Sequence, residues 1–298
     1  MTHISKTMKT QADITRKFIF EDADIRGETV GLSKTCIDIL ANHQYAPSVE
    51  RLLCEFMSAA TLLSTTIKFE GLLILQARSE GEIPIIMAEC SSERKVRAIA
   101  RGAELASSDH FQTLLSNGQL AITIDPRVGN AYQGIVPLDG DNLAQCLESY
   151  FAQSEQLATR IWLASEGNDC GGLLLQQLPA QIEQDSQQRA DQWQHVCQLA
   201  DTVRPEELLE LDSEDLLFRL YHQEKVRLFE ARNVEFQCSC SWQRSGAALA
   251  TLPRMELDDM LEEQGQIEVN CEFCNHTYKF GAEEISRLVD GEQPTQYH

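Results

Sequence analysis

The sequence predicts an α+β protein in three parts. These are a large mixed domain over residues 1–178, a helical linker over 179–232 and a small cysteine-paired domain over 233–298. Three observations carry this expectation. Hydrophobic side chains switch between spacings of three or four and strict alternation, without the regular βαβ order of a doubly wound sheet. Composition shifts after Pro179, and residues 176–200 hold nine glutamines and few large apolar side chains. Four of the ten cysteines fall in the last 61 residues, whereas Cys36, Cys54, Cys90, Cys146, Cys170 and Cys197 are scattered singly.

The elements follow in chain order. Val49, Leu52, Leu53, Phe56, Ala60 and Leu63 recur at helical spacing and predict an amphipathic helix over 48–63 with Ser48 as N-cap. β-rich runs over 65–78 and 82–90, joined through Ser79, Glu80 and Gly81, predict a hairpin. Helical spacing resumes over 93–106 and 109–116. Residues 121–124 read as a short buried strand closed by Asp125-Pro126. Gly129, Asn130 and Gly134 mark a turn before Ile135-Val136. Asp141 is placed to cap a helix carrying Leu143, Cys146, Leu147, Tyr150 and Phe151, and strand-like runs over 159–164 and 172–176 complete the block.

The Gln-rich stretch is compatible with helix but offers a weak apolar stripe, so its packing is expected to be marginal. Pro205 opens a further helix with Leu208, Leu209 and Leu211. Ser213 caps another that carries Leu216, Leu217, Leu220 and Tyr221. From Asn233 the pattern alternates through Val234, Phe236 and Cys238. Helical segments over 246–250 and 256–263 then end at Gly265. Ile267, Val269 and Cys271 alternate again, with Tyr278 and Phe280 behind them. A unit of about 65 residues gains little stability from an apolar core alone, so a staple is expected.

Charge narrows the function. Of 298 residues, 25 are Lys or Arg and 46 Asp or Glu, a net charge of −21, divided as −9 over residues 1–200 and −12 over 201–298. Neither part offers the positive face that phosphate backbones need, so nucleic acid and anionic membranes are poor partners. The apolar runs over 72–75 and 83–88 fall far short of the roughly 18 residues of a spanning helix. The first residues lack the apolar stretch of a secretory signal, so a cytoplasmic location is expected.

The expected staple is one zinc ion. Cys238-Ser239-Cys240 and Cys271-Glu272-Phe273-Cys274 are separated by thirty residues. Zinc takes four thiolates in a tetrahedron at about 2.3 Å. A Cys-x-x-Cys turn aims two sulfurs at one ion, and Cys-x-Cys on a strand does the same because residues i and i+2 share a face. With four sulfurs available, His276 reads as a surface residue. The closed site leaves no position for a substrate, and no catalytic residue is expected.

Magnitudes suggest what oxidation does there. Structural zinc contributes about 10–16 kcal/mol of apparent folding free energy in small peptides. Disulfides within each pair close very short loops and return much less than the roughly 3 kcal/mol of a 15-residue loop. An i to i+2 pair on a strand also has Cα atoms about 6.6 Å apart, near the limit of disulfide geometry. Oxidant is therefore expected to eject zinc and unfold residues 233–298.

The residues around the cysteines narrow the reading further. Leu216-Leu217-Phe218-Arg219-Leu220-Tyr221-His222 and Val226-Arg227-Leu228-Phe229 lead into Val234-Glu235-Phe236 and the first pair. Ile267-Glu268-Val269 leads into the second pair. Tyr150-Phe151, Gln153-Ser154-Glu155-Gln156-Leu157 and Gly172-Leu173-Leu174-Leu175-Gln176 lie upstream. Over essentially the whole chain these motifs resemble the 33 kDa redox-regulated heat-shock chaperones of bacteria. The resemblance implies an ATP-independent holdase that is off when reduced and zinc-bound. It implies that oxidation with heat forms Cys238–Cys240 and Cys271–Cys274 disulfides and unfolds the linker. The active protein, usually a homodimer, would then bind unfolding clients. Two departures stand out: Ala158 replaces a usual Pro, and Trp242-Gln243 replaces a common Arg-Glu pair. Neither touches a sulfur.

Two other classes compete. Cys271 and Cys274 could serve a thiol-disulfide oxidoreductase, although the pair follows an alternating strand rather than opening a helix. A zinc-ribbon adaptor for nucleic acid meets the −12 charge of the C-terminal third. Gly31-Leu32-Ser33-Lys34-Thr35 lacks the P-loop pattern, because a residue other than lysine follows its glycine at the required spacing. Ser107, Ser108, Asp109 and His110 lack a nucleophile elbow. Cys146 reads as core, and Cys197 as a passive linker thiol.

Overall fold

Residues 13–46, to which periodicity assigns no element, supply two strands and a short helix: β1 (Ile14–Phe20), β2 (Ile25–Leu32) and α1 (Lys34–Leu40). The computed structural model describes residues 13–67, 69–155 and 157–289; Lys68, Gln156 and the two ends of the chain, 1–12 and 290–298, lie outside the described residues.

The expected amphipathic helix is present as α2 (Pro47–Thr66), and it is central to the fold. Leu52, Leu53, Phe56, Met57, Ala59, Ala60, Leu62 and Leu63 are all buried, as are Ser58, Thr61 and Ser64. Every residue over 56–64 is buried, as in a helix inside a core. Its cap is Ala46, with Pro47 as the first helical residue, so Ser48 is not the N-cap. Thr65 and Thr66 belong to the helix, correcting the strand expected from 65. Their hydroxyls donate back to the carbonyls of Leu62 and Leu63 at 2.7 and 2.8 Å, which satisfies these β-branched residues locally.

Further strands are β3 (Gly71–Arg78), β4 (Ile85–Ser91), β5 (Lys95–Arg101), β6 (Gln119–Pro126) and β7 (Tyr132–Pro137), with the one-turn helix α3 (Phe111–Leu114) between β5 and β6. The helix expected over 93–106 is therefore a correction. Val96, Ile99, Ala103 and Ala106 mimic helical spacing, but Val96, Ala98 and Ala100 also repeat every second residue and all are buried. Antiparallel pairing of Ala88 with Ala98 on β4 decides between the two periods. The strand expected over 121–124 starts earlier, at Gln119, and ends at Asp125-Pro126. Helix α4 (Leu143–Tyr150) is capped by Asn142, whose side chain accepts from Gln145 N at 3.0 Å, not by Asp141. A π-helical turn, Phe151–Glu155, leads to β8 (Thr159–Glu166) and β9 (Asp169–Gln177).

Three helices follow: α5 (Ser186–Ala200), α6 (Pro205–Glu210) and α7 (Ser213–Tyr221). Asp212, not Ser213, caps α7, and the Ser213 hydroxyl instead meets Thr29 at 2.8 Å. Short strands β10 (Val226–Leu228), β11 (Arg232–Asn233) and β12 (Glu235–Phe236) close the first unit. One six-stranded sheet has the order β10-β1-β2-β9-β8, with β11 also on β1; the other has the order β12-β5-β4-β3-β6-β7. Among the described residues all strand pairs are antiparallel except β12 with β5.

Helix α2 packs against strands of both sheets. The run Gly172–Gln176 is apolar on both faces because β9 is covered twice. Cys170 and Leu174 join the core around α2, whereas Leu173 and Leu175 pack with Phe18, Phe20, Val196, Leu208, Leu217 and Tyr221. Residues of α5–α7 thus share a core with the first sheet. Only Val196, Cys197 and Ala200 of α5 are buried. Helix α6 comes so close to β9 that a Cβ at Gly171 would lie 2.2 Å from the Leu208 carbonyl oxygen. The buried Asp24 carboxylate anchors the start of this segment. It accepts from the backbone N–H of Gln181, Ile182 and Glu183 and pairs with Arg189 at 2.7 Å.

The chain divides into two compact units between Gln237 and Cys238. The second contains α8 (Trp242–Leu249), α9 (Arg254–Gln264), the hairpin β13 (Ile267–Asn270) and β14 (Thr277–Phe280), and α10 (Ala282–Val289). Gly265 ends α9 with a left-handed φ of +75°. Leu249, Leu257, Ile267, Phe280 and Ile285 form the buried centre, and the Trp242 ring stacks 4.8 Å from Phe280.

Candidate metal centre

Both cysteine pairs of the second unit lie on turns. Alternation stops at Phe236, so Cys238-Ser239-Cys240 is irregular chain ahead of α8 rather than the expected strand. The two sulfurs are presented by a turn in which the Cys240 backbone N–H points to the Cys238 sulfur. Arg244 fastens the middle of this turn, donating to the Ser239 carbonyl at 3.0 Å and its hydroxyl at 2.8 Å.

Cys271 and Cys274 sit in the connection of the β13–β14 hairpin. Asn270 pairs with Thr277, Cys271 N donates to His276 O at 2.9 Å, and Asn275 N donates to Cys271 O at 2.8 Å. Asn275 takes a left-handed φ of +54°, which asparagine tolerates better than most residues. The turn aims both sulfurs the same way.

The four sulfurs converge. Cys238 and Cys271 are 3.6 Å apart, Cys240 and Cys274 3.5 Å, and all four sulfurs lie within 4.8 Å of one another. Zinc bonded to four thiolates at about 2.3 Å implies sulfur separations of about 3.8 Å. A half-buried set of four soft donors could hold a metal ion and is compatible with zinc. Electrostatics points the same way. Burial, foremost, pushes the Cys238 and Cys274 thiols up. Burial opposes ionisation of Cys240 too, but hydrogen bonds led by the Tyr278 hydroxyl, 3.1 Å away, bring that thiol down. Four thiolates so close together need a cation among them.

Cys271 and Cys274 follow β13 and do not open a helix, so the group lacks the helix dipole that acidifies a catalytic thiol. His276 is exposed, outside the four-sulfur group, with its ring 4.6 Å from Tyr278.

A second convergence was invisible to sequence spacing. Cys36 on α1, Cys54 on α2 and Cys170 on β9 also bring their sulfurs within 4.8 Å of one another. Cys36 and Cys170 are 3.3 Å apart, and the Ser58 hydroxyl meets the Cys170 sulfur at 3.0 Å. The one available signal was that each cysteine occupies an apolar position of its element. Cys90, Cys146 and Cys197 are buried as well.

The remaining sequence candidates have structural partners. At the start of α1 the Asp13 carboxylate accepts from Ser33 N at 2.6 Å, Lys34 N at 3.1 Å and both Thr35 N and its hydroxyl. That carboxylate fills the place a phosphate would need. Ser107 N and Ser108 N are held by Glu82, and Asp109 pairs with Arg51. Among the described residues no helix is long and apolar enough to cross a membrane.

Comparison with known proteins agrees with this geometry. Residues 13–281 match the family described as Hsp33 protein. The chain is 50% identical over 290 residues to the 33 kDa chaperonin of Ectopseudomonas mendocina, covering 95% of this chain and 98% of that protein. The 33 kDa chaperonin of Pseudomonas aeruginosa is 49% identical over 285 residues, covering 95% and 96%. The crystal structure of the Hsp33 homologue from Thermotoga maritima shares the fold with a TM-score of 0.78 at 21% identity, covering 94% of this chain and 99% of that one. These relatives are named as chaperonins, not enzymes. The chain belongs to the Hsp33 family of heat-shock chaperones.

Proposed function

We propose that this Hsp33-family chaperone is a redox-regulated, ATP-independent holdase of the cytoplasm. It is off when Cys238, Cys240, Cys271 and Cys274 are reduced and hold one zinc, and on once they are oxidised. The observation that carries the reading is the meeting of four sulfurs in a unit with a small apolar centre. Bound zinc supplies a four-point crosslink between two turns, a contribution of about 10–16 kcal/mol in small zinc peptides.

Oxidation removes that crosslink. Each peroxide takes two electrons from a thiolate pair and two protons from solvent and leaves as two waters, so two peroxides form the Cys238–Cys240 and Cys271–Cys274 disulfides and the zinc ion is released. Sulfurs bonded to each other no longer serve as thiolate ligands. The new loops are short and constrain the unfolded chain little. Residues 233–298 then unfold, and the linker over 179–232 follows, because α5 buries so few side chains. Leu208, Leu216, Leu217 and Tyr221 leave the first sheet, and the domain over 1–178 exposes apolar surface for unfolding clients. The active form is a homodimer, and its net charge of −21 keeps client complexes soluble and disfavours nucleic acid.

Light scattering of a thermally unfolding client tests the reading. Protein treated with peroxide and mild heat is expected to suppress aggregation without ATP, and reduced protein is expected not to. Equal suppression by both forms would remove the switch; disulfide reduction of insulin by the native protein would favour an oxidoreductase.

A further inference from the structure

The buried thiols of the first unit are held together by the sheet itself. Cys170 on β9 lies directly opposite Leu32 on β2 in the antiparallel ladder. Cys36 stands one helical turn beyond Leu32, its sulfur 3.9 Å from the Leu32 carbonyl and 3.3 Å from the Cys170 sulfur. Cys54 completes the cluster from α2, and all three side chains are 0% exposed.

A metal ion suits this cluster poorly. Three thiolates around a monovalent or divalent ion leave a net negative charge in a dry site. The charged groups that act on Cys54 are the carboxylates of Glu50 and Glu55, which offer no compensation. Two thiols joined as a disulfide are neutral and fit the apolar surroundings.

We propose that Cys36 and Cys170 are a second oxidisable pair, closed to a disulfide by peroxide inside the folded first unit while Cys54 ends as the free thiol. One cluster sulfur attacks the peroxide, yielding a sulfenic acid and one water. A neighbouring thiol displaces the second water and forms the S–S bond, so two thiols and one peroxide give one disulfide and two waters. Exchange among the three sulfurs then selects the final pair. The 3.3 Å approach of the Cys36 and Cys170 sulfurs, fixed through the β2–β9 ladder, favours that pair, and a displaced Cys54 sulfur takes up the proton that the attacking thiol gives up. The bond closes a loop between residues 134 apart, so it restrains the unfolded chain far more than the short loops of the second unit.

The test uses full-length protein in excess hydrogen peroxide at a temperature where the first unit stays folded. Samples are unfolded in iodoacetamide, digested and mapped by mass spectrometry over time. The expected late product is a Cys36 peptide linked to a Cys170 peptide, formed after Cys238, Cys240, Cys271 and Cys274 have reacted. The unfolding temperature of the first unit is expected to rise by on the order of 10 °C, and reductant or Cys170→Ala to abolish that rise. Wild-type mapping stands alone if the variant fails to fold. Recovery of Cys36 and Cys170 as alkylated thiols, or a final link that retains Cys54, overturns the proposal. So does a stoichiometric soft metal retained in a variant whose four second-unit cysteines are serine.

Discussion

Cys238, Cys240, Cys271 and Cys274 are half-buried on two turns of a unit centred on Leu249, Leu257, Ile267, Phe280 and Ile285. Cys36, Cys54 and Cys170 lie at full burial on three elements around α2, inside a core that spans two six-stranded sheets. The same atom therefore has opposite relations to its surroundings. In the first unit packing places the sulfurs, whereas in the second the four sulfurs meet beside a centre too small to supply much stability by burial alone.

The strongest way to break this contrast is Cys271→Ser, or chelation at neutral pH. Zinc stoichiometry is expected to fall from one to near zero, with loss of about 10 kcal/mol or more of apparent stability from the second unit. Far-UV circular dichroism should lose the signal of α8–α10 while the first unit keeps its cooperative melt. If both units melt together, the division fails.

A smaller effect is expected where helices α5–α7 meet the first sheet. Asp24→Ala removes the acceptor for three backbone N–H groups and leaves Arg189, itself largely buried, without its carboxylate partner. About 3 kcal/mol is the expected cost, read as faster hydrogen exchange in α5 with zinc content unchanged. Burial opposes ionisation of Asp24, but the backbone hydrogen bonds and Arg189 hold its carboxyl below the ordinary 3.8. Its contribution is thus complete above that pH and disappears as pH falls through the lower folded value.

Glu28 sharpens the contrast with the opposite sign. Burial raises its carboxyl from 4.5 to about 7, against the hydrogen bond that Thr15 donates. Between these values the folded state keeps a proton that the unfolded chain has released, so stability declines as pH rises through the window. Glu28→Gln should flatten this slope and stabilise the first unit at pH 8 by roughly 1–3 kcal/mol, seen as a higher melting temperature there and an unchanged second unit.

Local pattern exposed some features better than others. The paired spacing at 238–240 and 271–274 was legible because each pair is presented by one turn, and Gly265 ended a helix as its conformational freedom suggests. The helix expected over 93–106 failed because Val96, Ala98, Ile99 and Ala100 satisfy two periods at once. The caps at Ser48, Asp141 and Ser213 each missed by one or two residues, since several neighbouring residues could cap and backbone geometry selects among them. Strands β1 and β2 went unread because their alternation is interrupted by buried Thr15, Glu28 and Thr29.

Sequence by itself determined the two cysteine pairs, the acidity and many of the helices and strands, all properties of residues near in the chain. Tertiary structure alone decided that Cys36, Cys54 and Cys170 meet, that Asp13 fills the start of α1, and that β9 carries apolar side chains on two covered faces. The reason is range. Periodicity and turn chemistry act over a few residues, whereas strand pairing and burial join positions more than a hundred residues apart, where no spacing rule reaches.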